Sequence, residues 1–246
     1  AGYRRPAGWS YSDMELFILR GEARVGGERV GGGQYYFVPA GSVFGPVASA
    51  GGFEALVFYN DGEPTFVESG QDHPRALVAA RVATNGYEQA PWITQARYQP
   101  GVATGCCVKP LRADPLTGAT TFLYTMVPRF AQQNISYHDC AEESYHVWGT
   151  SWMMQFGDIP TGGYFWRPPY INHGAFASRH GCIALGRTDG ELYNHFHYNP
   201  WTTPDDNAAR AAAALYRRRP RVYAWVAAEG HNHAHGPPDF EQPRGA

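Results

Sequence analysis

Charge is scarce in this sequence. Asp, Glu, Lys and Arg make up only 17% of the 246 residues, and the formal net charge is -2. With hydrophobic residues at 43%, that composition belongs to a well-cored globular protein rather than a disordered one. It offers no basic field to nucleic acid or to an anionic membrane surface. The one local basic run, Tyr216–Arg221, reads as the solvated end of a helix. Cysteine is scarce as well. Cys106, Cys107, Cys140 and Cys182 match no paired zinc-finger spacing and are too few for a disulfide scaffold. A bridge between the adjacent Cys106 and Cys107 would be strained, so free thiols and a reducing, cytoplasmic setting are expected. No apolar run approaches the roughly 18 residues of a membrane span, and no signal-peptide pattern is visible. Also missing are a Gly-rich phosphate loop and a nucleophile-elbow serine.

Glycine and proline, in contrast, are plentiful, at 29 and 19. They punctuate short apolar and aromatic runs such as "ELFILRGEARVGG", "QYYFVPAG" and "FEALVFYND", the pattern of an all-β sandwich or barrel. Helix signals gather only near the C-terminus. In "TTPDDNAARAAAALYRRR", Thr203 is placed to cap, Pro204 to open the first turn, acids to follow and arginines to close.

The chain also repeats itself. Shifted by 128 residues, "DMELFILRG" falls on "AEESYHVWG", with Glu15 on Glu143 and Gly21 on Gly149. At an offset of 129, "YYFVPAGSVFG" falls on "YFWRPPYINHG", with Tyr35 on Tyr164, Pro39 on Pro168 and Gly45 on Gly174. Two copies of one β-domain are therefore expected: residues 1–85, a Pro- and Gly-bearing connector over 86–111, and a second copy over 112–225 that ends in the helix. Residues 226–246, with "HNHAHG", read as a His- and Pro-bearing tail. Strand-like sequence ahead of the second copy, "GATTFLYTMVPRF", has no counterpart in the first, whose opening strands are expected to precede residue 1.

Within the second copy, His138, Glu142 and Gly149 stand in "NISYHDCAEESYHVWG", and His173 follows the "RPP" turn. Like parity puts His138 and Glu142 on one face of a regular strand. Two imidazoles and one carboxylate with open positions form the donor set of non-haem Fe(II) oxygenases. The neighbouring Glu143, which falls on Glu15 of the first copy, is expected to face outward; Glu142 and Glu143 stay open as alternatives for the ligand. These residues resemble the two cupin motifs, G-x5-H-x-H-x(3,4)-E-x6-G and G-x5-P-x-G-x2-H-x3-N. His138, Glu142 and Gly149 match the second His, the Glu and the closing Gly of motif one. Pro168 and His173 match the Pro and His region of motif two. The chain is thus similar to two-domain bacterial cupins, a resemblance that implies two double-stranded β-helix (jelly-roll) barrels.

Two departures stand out. Ser136 replaces the first His of motif one, and Ala177 stands where motif two ends in Asn. A usual three-His, one-Glu set is therefore one ligand short. Water or substrate is the first choice to fill the gap, then His195 or His197, with Cys140 a further candidate; His146 shares the inward parity. In the first copy, Ser10, Met14 and Phe44 occupy the places of His138, Glu142 and His173. A ligand set lost as a unit marks that copy as the structural one, and a homodimer through barrel edges is a further expectation. The resemblance implies an enzyme with one divalent transition metal, Fe(II) ahead of Mn, Ni or Zn, acting on a small organic substrate. Dioxygenase chemistry is the leading expectation, and isomerisation or decarboxylation is the alternative. Tyr145 or Tyr164, or a late histidine, would serve as acid or base. A non-catalytic binding or regulatory cupin is the competing class, and Cys140 discriminates: a fourth protein ligand would close the site.

Overall fold

The computed structural model describes residues 2–60, 64–95 and 102–197, the side chain of His197 excepted. The expected C-terminal helix and tail lie outside the described residues. Within them the chain is all-β apart from a 3-10 turn at Val78–Ala80. No described helix is long and apolar enough to cross a membrane. The chain divides into two compact units, Ala1–Pro91 and Trp92–Ala246.

The first unit opens with β1 (Tyr3–Arg5), β2 (Gly8–Ser10) and the long β3 (Asp13–Val25). After these come β4 (Glu28–Gly31), β5 (Gln34–Val38), β6 (Val47–Ser49), β7 (Phe53–Asn60), β8 (Phe66–Glu68) and β9 (Val82–Asn85). β3 is the hub, pairing with β4, β5, β6 and β7. Alternation sends Met14, Leu16 and Ile18 to one face, where they pack with Val30, Val38, Phe44 and Val47. Each such buried side chain contributes about 1.5–3 kcal/mol. The opposite face is buried too: Glu15 accepts from Tyr35 Oη at 2.6 Å and from Asn60 Nδ2 at 3.2 Å.

In the second unit the strands are β10 (Ile93–Thr94), β11 (Cys106–Ala113), β12 (Thr120–Met126), β13 (Phe130–Gln132), β14 (Ile135–Tyr137) and β15 (Glu142–Gly149). Beyond them lie β16 (Ser151–Met153), β17 (Gly157–Ile159), β18 (Tyr164–Arg167), β19 (Phe176–Ser178), β20 (Cys182–Thr188) and β21 (His195–His197). They form a six-stranded sheet, β10-β11-β12-β20-β15-β18, a four-stranded sheet, β13-β19-β16-β17, and the pair β14-β21. β10 and most of β11 fall within the connector expected over 86–111. β11 begins at Cys106 and is antiparallel to β12, its register shifting between Pro110 and Arg112. A bulge of this kind accommodates proline, here Pro110, in a strand.

The offsets of 128 and 129 reappear as geometry. Met14 pairs with Val38 and Tyr59, and Glu142 pairs with Arg167 and Thr188. Both hub strands carry a register shift at the same place, between Ile18 and Arg20 in β3 and between His146 and Trp148 in β15. The bridge Gly8–Phe44 has its counterpart in Ser136–His173. Gly33 N–H donates to Ile18 O and Gly162 N–H to His146 O, each at 2.8 Å. Only the second unit adds β12 alongside β20; among the described residues β7 pairs with β3 alone.

Candidate metal centre

Three strand ends build the centre. His138 follows β14, Glu142 opens β15, and His173 is bridged back to Ser136 by reciprocal 2.8 Å backbone hydrogen bonds. Their candidate ligand atoms all lie within 4.8 Å of one another. His138 Nε2 is 3.6 Å from Glu142 Oε2, and the two imidazoles meet edge-on with centroids 4.5 Å apart. Ligands about 2.1 Å from one ion stand at most about 4.2 Å apart, so small side-chain adjustments suffice to close the set on a metal. Both histidines are buried.

The donors are in the right chemical state. Burial pulls the pKa of His138 down, with Glu142 opposing and Arg167 reinforcing the shift. Burial, then Arg167 and His138, holds His173 well below the usual imidazole range. Neutral imidazoles are what a metal requires. His173 Nδ1 lies 2.9 Å from the Ile171 carbonyl; donating there leaves Nε2 with its lone pair, the arrangement that orients ligating histidines. The residues present therefore fit a divalent transition metal.

Arg167 completes the surroundings. Its Nη2 donates to Glu142 Oε2 at 2.7 Å, its Nη1 lies 3.2 Å from Met153 Sδ, and its guanidinium lies over the Phe165 ring at 4.2 Å. The cluster lines a cavity of about 80 Å³, walled by Val102, Phe122, Met126, Phe130 and Phe176. Tyr124, Gln132 and Asn194 add polar edges. Tyr124 Oη is 2.8 Å from Ser144 Oγ, and burial followed by Glu142 pushes its pKa far up, so it stays a neutral phenol. A second cavity, of about 210 Å³, shares Phe165, Arg167 and His173.

The remaining candidates lie elsewhere. Glu143 points away from the cluster and accepts from Tyr164 Oη at 2.7 Å and from Arg187. The carboxylate beside His138 is thus that of Glu142. Tyr145 and Tyr164, offered as acid or base, pair with each other on the face that carries Glu143. Strand parity keeps them from the cluster, and Tyr164 is 55% exposed. Cys140 is buried, its thiol pushed up to about 12 by burial and then by Glu142; it is not in the cluster. His195 stacks on Tyr137 at 4.8 Å and reaches Asp139 at 3.3 Å. The side chain of His197 lies outside the described residues. His146 is fully buried against Ser151 Oγ, 2.7 Å away. Sequence reasoning passed over Arg167 and Tyr124. The signal for Arg167 was there, since Val38 holds its place in the first copy.

Solved structures of low sequence identity share this fold. The family model for a domain of unknown function, DUF4437, matches residues 1–195, and the chain belongs to that family. A crystal structure from Nostoc punctiforme, provisionally designated a dioxygenase, is similar with a TM-score of 0.71 at 22% identity. The match covers 81% of this chain and 70% of that one. Oxalate decarboxylase from Bacillus subtilis is similar with a TM-score of 0.54 at 15% identity, covering 86% and 71%. A further structure of that enzyme, described for its Mn(II) centres, gives 0.52 at 15% identity, covering 89% and 74%. At these identities the likeness is one of fold. No curated protein sequence matches the chain.

Proposed function

We propose that this chain is a two-domain cupin whose second domain is a mononuclear metal-dependent enzyme, an Fe(II)-type oxygenase acting on a small organic substrate. The observation that carries this reading is the convergence of His138, Glu142 and His173 in the wall of a largely apolar cavity. Two imidazoles and one carboxylate with positions left for other ligands favour non-haem iron. The place of Cys140 outside the cluster supports catalysis over a closed structural site, which would take four protein ligands. An ion bound there would supply Lewis acidity and, as iron, redox chemistry with O2.

The chain's own residues set the stage for that chemistry. His138 and His173 are held neutral, and Glu142 is held by Arg167. Tyr124 offers the cavity a phenol that resists ionisation. The apolar walls keep bulk water from the substrate. The resemblance to oxalate decarboxylase favours a second reading, a manganese enzyme that cleaves a carbon–carbon bond without net oxidation.

Elemental analysis of untagged protein tests the proposal. About one equivalent of metal is expected, lost in His138→Ala, Glu142→Ala and His173→Ala and retained when residues 231–246 are removed. Iron directs the next assay to O2 uptake and manganese to CO2 release. An ion that leaves only with the tail would sink the metal-centre reading.

A further inference from the structure

The side chain of Arg167 is only 6% exposed, and its guanidinium has fewer partners than donors. Of the five N–H groups an arginine carries, one reaches Glu142, one faces the weak thioether acceptor of Met153, and Nε–H is buried with no partner. The fold itself does not require this cation. At the same register position in the first unit Val38 pairs with Met14, as Arg167 pairs with Glu142. Arg167 is present where the donor cluster is present, and valine stands where the cluster is gone.

Charge balance says what such a residue is for. Glu142 is the one carboxylate among the described residues lining the smaller cavity. A divalent ion on two neutral imidazoles and that glutamate would keep one positive charge, and Arg167 adds a second. Excess charge of one sign is costly in a buried apolar site and calls for a counter-charge. We infer that the substrate of this centre is an organic acid whose carboxylate is received by Arg167 beside the metal and whose hydrocarbon body lies against Phe122, Met126, Phe130 and Phe176. A planar guanidinium with N–H groups to spare suits a carboxylate, and the apolar walls suit a body without further charge. This inference rests on the metal-centre reading and adds the substrate class to it.

The test compares butyrate with butyramide, which share a body and differ in charge, by calorimetric titration of the metal-loaded full chain. The wild type is expected to prefer the acid on the order of tenfold or more. Arg167→Met is expected to bring the two within about twofold while keeping its ion. Equal binding of acid and amide by the metal-loaded wild type, or binding of neither, overturns the inference, as does an undiminished preference in Arg167→Met. If Arg167→Met sheds its ion, Arg167→Lys is read instead, since it keeps the charge and loses the fork. A reduced preference with the ion in place then supports the assignment, and an unchanged one overturns it. Metal content is measured on the same samples. A chain that takes up no ion therefore refutes the reading beneath, whereas a loaded chain indifferent to acids refutes this inference alone.

Discussion

His146 occupies the place that Ile18 holds in the first unit, each opposite an alanine of the adjoining strand. Its Nδ1 is buried without a partner, and burial pulls its pKa down to about 4. The folded state therefore keeps this ring neutral, whereas the unfolded chain takes up a proton near the ordinary imidazole value of 6.5. Between these values the unfolded state binds more protons, so stability is fully present above pH 6.5 and is lost as pH falls toward 4. For His146 alone the loss between pH 7 and pH 5 is about 2 kcal/mol. His138 and His173, with pKa values also lowered, add to it in the metal-free protein. Urea midpoints at pH 7 and pH 5 are expected to converge in His146→Ile relative to the parent; an unchanged gap would remove His146 from the account. Motif spacing and the contrast with Ser10, Met14 and Phe44 made His138, Glu142 and His173 legible in the sequence. Arg167 was marked only by the contrast with Val38, because a motif search stops at the ligands and says nothing of the charge that holds one of them.

Gly149 closes β15 with φ of 78°, and Gly21 sits at the matching position in β3 with φ of 80°. A Cβ on either would run into the backbone of the facing turn, the carbonyl of Gly181 or of Gly52. Strain and collision act together at these positions. Gly149→Ala and Gly21→Ala are each expected to cost about 1–3 kcal/mol, seen as a lower Tm; a neutral Gly149→Ala would show that the turn can shift. At this scale the sequence is a good guide to turns and strands, since glycines mark the close approaches. It is a poorer guide to the connector, because Pro110 and the thiols of β11 look like linker until β12 is laid beside them. Tyr170 is another exception: it adopts φ of 67° where the first unit has Gly41 at 76°. Nothing in its residue type foretells that.

Across the whole chain, the internal repeat visible at offsets of 128 and 129 reappears as matching strand registers, matching register shifts and matching backbone hydrogen bonds. Repeated sequence reveals repeated architecture well because it samples many positions at once, whereas the donor cluster depends on three. The cavity walls were only partly legible: Phe122, Met126 and Phe130 share one stretch of chain, but no local pattern joins them to Phe176 in β19. The difference between the units also gives the chain an internal reference. An ion bound in the second unit stabilises only what binds it, by about 2.7 kcal/mol at a hundredfold excess over Kd. Amide exchange should therefore slow on metal addition in β14, β15 and β18. The strands β2, β3 and β5 should exchange as before; equal slowing in both sets would mean that the ion acts on the chain at large. Each molecule thus carries, in its first unit, a matching strand pattern with Ser10, Met14 and Phe44 at the corresponding places, and it experiences the same solvent, temperature and pH as the site it is compared with.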